Sequence, residues 1–179
     1  RGLFVTFEGP EASGKSSQII LLKKFLKLNK TPFLITREPG GTFFSEKLRK
    51  LILNKSSRID VSEEILLLMA ARLNHIKNVI KPALKKNMIV LCDRYADSTF
   101  VYQGYVNGYG IKKTMNLHKK ILDNFLPDKT FLFLIPPKEI ILRLKKRRHK
   151  NKYDIKKIKF HNKVCEGYKN ISKNNSRFI

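Results

Sequence analysis

Acid is scarce in this sequence. Fourteen Asp and Glu stand against 38 Lys and Arg, and the formal charge is +24. Such a balance draws polyanions to the surface and raises the possibility of nucleic-acid binding. The basic residues, however, are spread along most of the chain, with no dense basic arm, helix-turn-helix, RRM or basic patch interleaved with aromatics. Nucleic acid is therefore not the expected partner. Tryptophan is absent while Lys, Asn and Ile are abundant, which fits drift toward A/T-rich codons. No run of 18 apolar residues occurs, so no membrane span is expected, and the apolar core of a secretory signal is missing. Cys92 and Cys165 lie far apart without a CxxC partner, which excludes a disulfide framework and points to reduced thiols in a cytoplasmic protein. His75, His118, His149 and His161 have no metal-ligand spacing.

What is present fits one domain over residues 1–179, with 42% hydrophobic content. Four apolar runs read as strands: LFVTF (3–7), FLIT (33–36), MIVLC (88–92) and TFLFLI (130–135). They are apolar nearly throughout, as parallel strands covered on both faces must be. Between them lie helical patterns. One follows residue 14 with Ile19, Leu22 and Phe25 on one side, another covers 44–54, and a third starts at a Ser62 cap ahead of Glu63 and Glu64. This third helix is expected to end near Lys81, before Pro82. Further helices are expected over 112–124 and 138–148. Alternating strands and helices imply an α/β fold in three layers, a parallel sheet flanked by helices.

The segment GPEASGKS (9–16) fits G-x-x-x-x-G-K-[ST], with a strand before it and a helix after it. Backbone N–H groups of Gly9, Pro10's neighbours Glu11, Ala12 and Ser13, then Gly14, Lys15, Ser16 and Ser17, are expected to surround the phosphates of ATP. Lys15 can reach the β- and γ-phosphates, and the Ser16 hydroxyl can ligate Mg²⁺. The loop alone does not separate kinases from other nucleoside triphosphatases.

Three more stretches, TREPGGT (36–42), AARLNH (70–75) and CDRYADSTFVYQG (92–104), decide the matter. With the loop, and with PALKKNMIVLCDRY, PDKTFLFL and KFHNKVCEGY, the chain resembles the bacterial type of thymidylate kinase over nearly its whole length. That resemblance implies a P-loop NTPase-type fold with a short lid at about 144–154, and transfer of the γ-phosphoryl of Mg·ATP to dTMP. It assigns Arg94 to the acceptor phosphate and the transferring group, and gives Asp93 a hold on Mg²⁺ through water. Arg37 and Arg49 fall around the acceptor nucleotide, with Gly40 and Gly41 letting the loop approach closely. A dianionic acceptor held in line with the donor favours Arg over Lys, because the guanidinium binds phosphate oxygens bidentately.

Arg72, Thr99 and Gln103 are assigned to the base. An arginine can donate to thymine O4, and a Gln amide can serve both edges. Tyr102 is similar to the aromatic residue that blocks a ribose 2′-hydroxyl. Leu68 departs from the pattern: the family carries Phe or Tyr four residues before Arg72, so thymine loses a stacking partner here unless Phe43, Phe44 or Phe100 compensates. Glu11, an acid inside a phosphate loop, matches the family residue that contacts the acceptor 3′-hydroxyl. The loop contains no arginine. The resemblance therefore assigns the catalytic positive charge to lid arginines, Arg147 and Arg148 in LKKRRHKNKYD (144–154), with Arg143 as a further candidate.

Three expectations remain. Family members form homodimers, for which 44–54 and 62–81 are candidate interface helices. The chain opens on Arg1 rather than Met, and SRFI (176–179) is expected to begin a last strand whose continuation, with a C-terminal helix, is missing. Alternative activities are a kinase for another nucleoside monophosphate or a deoxynucleoside, and a basic ATP-dependent nucleic-acid-binding protein.

Overall fold

The structure, a computed structural model, describes residues 1–54 and 56–179. Strands β1 (Leu3–Glu8), β2 (Phe33–Arg37), β3 (Ile89–Asp93) and β4 (Lys129–Leu132) form one parallel sheet in the order β2-β3-β1-β4. Alternate residues on each strand point to opposite faces, and both faces are covered. Phe4, Val90 and Cys92 pack with Met69, Ile76, Ile80 and Phe100 on one side. Val5, Phe7 and Leu91 pack with Ile19 and Leu26 on the other. Three layers result, as the apolar strand runs require. Thr6 and Thr130, the polar residues inside adjacent strands, share a buried hydroxyl hydrogen bond of 2.8 Å.

Helix α1 (Lys15–Leu28) follows β1 directly. Its buried side uses Ile19 and Leu26, with Leu22 partly covered, while Phe25 is 59% exposed. The expected stripe was thus one residue off at its C-terminal end. Helix α2 (Phe43–Leu53) is capped by Thr42, whose hydroxyl accepts the Ser45 N–H. Helix α3 (Val61–His75) starts two residues earlier than expected, because its cap is Asp60 and not Ser62. Asp60 Oδ1 accepts the Glu63 N–H at 2.8 Å and Glu63 returns a carboxylate to the Asp60 N–H at 2.6 Å, a reciprocal capping box.

Pro82 does not stop this helix. A π-helical stretch (Ile76–Ile80) carries it into α4 (Lys81–Lys85), with the Lys81 N–H donating to Ile76 O. Pro82 then falls in the first turn of α4, where its missing N–H is harmless. A helix that the strand–helix pattern had not suggested follows β3: α5 (Ala96–Thr99) runs into a second π-helical stretch (Phe100–Val106). Helices α6 (Ile111–Leu122), α7 (Pro137–Lys145) and α8 (Ile158–Ser172) complete the order. Strand β4 ends at Leu132, not Ile135. Its partner β1 turns away at Gly9, and Pro136 and Pro137 open α7 immediately downstream. On the far side of β4, the Thr130 N–H donates to Arg177 O and the Leu132 N–H to Ile179 O, both at 2.9 Å. The SRFI segment, expected to begin a strand, thus lies alongside β4 through one isolated parallel bridge between Thr130 and Phe178. Among the described residues no helix is long and apolar enough to cross a membrane.

Candidate active site

The carboxyl ends of β1, β2 and β3 deliver Glu8, Arg37 and Asp93 to one edge of the sheet, where open α/β sheets bind ligands. The phosphate loop starts there. Gly9 has φ 137°, and a Cβ on it would lie 2.2 Å from the Phe133 carbonyl oxygen, so only glycine fits. Gly14, at φ 98°, precedes α1, whose N-terminus no side chain among the described residues caps. Lys15 turns inward and donates to Gly9 O (3.1 Å), Pro10 O (2.7 Å) and Ser13 Oγ (3.2 Å). Burial, reinforced by the nearby Arg94 guanidinium, pushes its ammonium down to about 7. Ser16 Oγ donates to Asp93 Oδ2 at 3.1 Å, joining loop to strand end.

Arg94 follows with φ 68°, a left-handed conformation that a non-glycine side chain adopts only under constraint. Its guanidinium donates to Ser98 Oγ (3.1 Å), Tyr168 OH (3.2 Å) and Glu11 Oε1 (3.2 Å), and it lies 5.3 Å from the Tyr102 ring centroid. Glu11 also accepts the Tyr102 hydroxyl at 2.7 and 2.8 Å. The loop acid, the DRY arginine and the tyrosine of YQG therefore form one buried cluster.

Arg72 is 2% exposed and shares its charge with Glu38, Nε to Oε2 at 2.7 Å. Its Nη2 donates to Thr99 Oγ1 (2.9 Å) and Tyr95 O (3.3 Å). Burial alone would raise the Glu38 carboxyl, yet Arg72 and His75 (Nδ1 at 3.0 Å) hold it below its ordinary range. The other His75 nitrogen contacts Thr36 Oγ1 at 2.7 Å. Gly41 lies against this ring: a Cβ there would approach it to 2.5 Å. REPGG is thus a packed bridge from β2 to α3. Arg49 donates to Pro39 O at 2.7 Å, and Arg37 to both oxygens of Glu46 at 3.2 and 3.1 Å.

One cavity of about 470 Å³ joins these groups. Its lining includes Glu11 to Ser17, Arg37, Arg49, Leu68, Arg72, Asp93, Arg94, Thr99, Tyr102, Gln103 and Arg147. Gly9 and Pro10 lie outside the lining, their carbonyls turned to Lys15. Arg148 is exposed and does not line the cavity, whereas Arg143, outside the lining as well, donates to Ala12 O at 3.2 Å. Arg147 is tied to Asp154 at 2.9 Å. Of the candidate stacking residues, Phe43 and Phe44 are exposed at 80% and 46% and Phe100 belongs to the core under the sheet. The aromatic rings that do line the cavity are Tyr95, Tyr102 and Tyr153.

Several residues that build this site carry only a weak signal in the sequence, or none. Glu8 is fully buried and accepts from Tyr95 N (2.7 Å), Ser98 Oγ (2.7 Å) and Tyr168 OH (2.8 Å). Burial and the neighbouring Asp97 raise its carboxyl to about 7. A charged residue ending an otherwise apolar strand, next to the loop glycine, was the available signal. Glu38, within REPGG, gave a similar one. Tyr168 and Tyr153 gave none, since their partners lie 160 and 89 positions away in the chain.

Against known proteins, the thymidylate kinase family model matches residues 7–179. A thymidylate kinase of Bacillus velezensis is 42% identical over 173 residues, 95% of this chain and 82% of the relative. One of Rickettsia canadensis is 42% identical over 172 residues, 96% of this chain and 84% of the relative. The crystal structure of thymidylate kinase from Ehrlichia chaffeensis superposes with a TM-score of 0.78 at 34% identity, covering 100% of this chain and 88% of that one. Matches of this length and identity, on a parallel P-loop fold with its arginine-lined cavity, mean that the chain belongs to the thymidylate kinase family.

Proposed function

We propose that the chain transfers the γ-phosphoryl group of ATP to dTMP, giving ADP and dTDP for dTTP synthesis. The observation that carries this is the continuity of one cavity from the Lys15 loop to the buried Arg72–Thr99–Gln103 cluster, with Arg94 between them. Two anionic nucleotides can meet there end to end, and little covalent chemistry is asked of the protein. The acceptor oxygen is already anionic, so rate comes from alignment and charge neutralisation.

In this account the loop N–H groups and Lys15 hold the β- and γ-phosphates, and Arg94, with Arg37 and Arg49, aligns the acceptor phosphate. Glu11 receives the sugar 3′-hydroxyl, and Tyr102, held against Glu11, blocks a ribose 2′-hydroxyl. Arg147, with Arg143 near Ala12, adds the positive charge that the loop lacks, and the segment 144–154 acts as a lid that excludes water. Ser16 and Asp93 are hard oxygen donors 3.1 Å apart, a set suited to Mg²⁺, which keeps waters and shares phosphate oxygens. Bound there, that ion would offset negative charge on the phosphates. Arg72 and Gln103 read the thymine edge over Leu68, with no ring stacked from that position.

The chain is proposed to act in the cytoplasm as one kinase domain within a homodimer. Exposed apolar residues on α2 and α3, among them Phe43 (80%), Leu66 (61%) and Leu73 (47%), support a dimer through those helices. The activity is tested by ADP formation from ATP with dTMP, dUMP, dCMP, dAMP and dGMP in turn. Clear preference for dTMP supports the assignment. Equal rates across the panel contradict it.

A further inference from the structure

Behind the cavity wall, on α3, Glu64 is a carboxylate that the proposed chemistry does not use. It is 4% exposed, and its Oε1 receives three donors: Tyr153 OH, Lys152 Nζ at 3.0 Å and Gln103 Nε2 at 3.1 Å. Gln103 Nε2 also donates to Tyr153 OH at 3.0 Å. Burial and the Glu64 carboxylate push the Tyr153 hydroxyl well above its ordinary range, so it keeps its proton for Glu64 and leaves its oxygen lone pair to accept from Gln103.

These contacts fix which way the Gln103 amide faces. A glutamine amide is nearly symmetric in shape, and either end can point at a ligand. A carboxylate already taking two other donors can accept only from the –NH₂ end. The –NH₂ end is thereby directed to Glu64 and Tyr153, and among the described residues no hydrogen bond ends on Gln103 Oε1. Arg72, which lines the same cavity, has the opposite polarity. Among the described residues its Nη1 makes only a 4.0 Å contact to Met69 sulfur, so it retains N–H groups to donate.

We infer that Glu64, through Gln103, sets the polarity of the base site as one acceptor beside one donor. This rests on the proposed dTMP kinase activity and deepens it. Thymine presents N3–H, a donor, next to O4, an acceptor, and complements that pair. Cytosine presents N3 as an acceptor next to an amino group, and meets like against like at both positions. Glu64 is a positioning residue: it touches Gln103, not the base. Because Lys152 and Tyr153 belong to the segment 144–154, seating that segment completes the polarity, so base selection and closure over the site are one event.

The test is the ratio of kcat/KM for dTMP to that for dCMP, measured with ATP on the purified full chain and on Glu64→Gln and Tyr153→Phe. Glu64→Gln supplies its own –NH₂, so the Gln103 amide is free to rotate. The ratio is expected to fall by roughly tenfold or more, with KM for dTMP rising more than kcat falls. Tyr153→Phe leaves the carboxylate but removes one acceptor, and a smaller fall in the same ratio is expected. Tyr153→Phe also decides the matter should Glu64→Gln fail to fold. A selective wild type whose ratio is unchanged in the folded variants overturns the role of Glu64 alone. A wild type that does not prefer dTMP overturns the kinase assignment on which it rests.

Discussion

Arg72 Nε lies 2.7 Å from Glu38 Oε2, with the two side chains 2% and 4% exposed. A buried ion pair of this kind is costly to break from one side, because the remaining charge has neither water nor partner. Glu38→Gln is expected to destabilise the fold by about 3–5 kcal/mol. Chemical denaturation of wild type and variant at one pH checks this. A change below about 1 kcal/mol would show the pair to be solvated.

The same carboxyl gives a pH dependence with a definite sign. Glu38 holds its proton less tightly in the folded chain than its ordinary value of 4.5, so its contribution is complete above that pH. It is lost as pH falls through the lower folded value. Glu8 acts oppositely: raised from 4.5 to about 7 by burial and Asp97, it binds a proton in the folded chain that the unfolded chain releases. Its contribution therefore falls as pH rises through that window. Glu8→Gln should flatten the decline of stability between pH 4.5 and about 7, measured as urea midpoints, while Glu38→Gln should flatten the loss below 4.5.

These two acids also show what was legible before the fold was known. GPEASGKS could be read because its determinants are consecutive: two glycines, a lysine and a serine between a strand and a helix. The sheet could be read because each strand is apolar on both faces. Phe25 against Leu26, and Ser62 against Asp60, were decided by which neighbour a helix meets, and a residue's own character does not carry that. Leu132 ends β4 because its partner β1 turns away at Gly9. Glu64 with Gln103, and Glu8 with Tyr168, are contacts across 39 and 160 positions that no local pattern announces.

Lys15 is buried with its charged form disfavoured, lowered to about 7. Triphosphate oxygens restore the favour to the ammonium, so ATP binding above that pH should take up a proton. Calorimetry in buffers of different ionisation enthalpy should detect the uptake, and affinity should weaken as pH rises beyond about 7. Uptake persisting in Lys15→Ala would assign the proton to another group.

Arg94 contacts Glu11 at 3.2 Å and Ser98 at 3.1 Å from two different nitrogens, a fork that lysine cannot reproduce. Arg94→Lys should lower kcat on the order of 10²–10³-fold, as for loss of a preorganised donor. Of the two arginines in the proposed lid, Arg147→Ala should cost far more than Arg148→Ala, because Arg147 lines the cavity while Arg148 is exposed outside it. Steady-state kinetics on the three variants checks both orders. Equal losses for Arg147 and Arg148 would mean that the two act interchangeably.

One cavity is proposed to pass a phosphoryl group from ATP to dTMP and not to water. Phosphorus NMR of the purified chain with Mg·ATP and dTMP tests it most directly by counting products. Equal amounts of ADP and dTDP, with free phosphate negligible and ADP formation absent until dTMP is added, are predicted. ADP matched by inorganic phosphate, with dTMP unchanged, would contradict it.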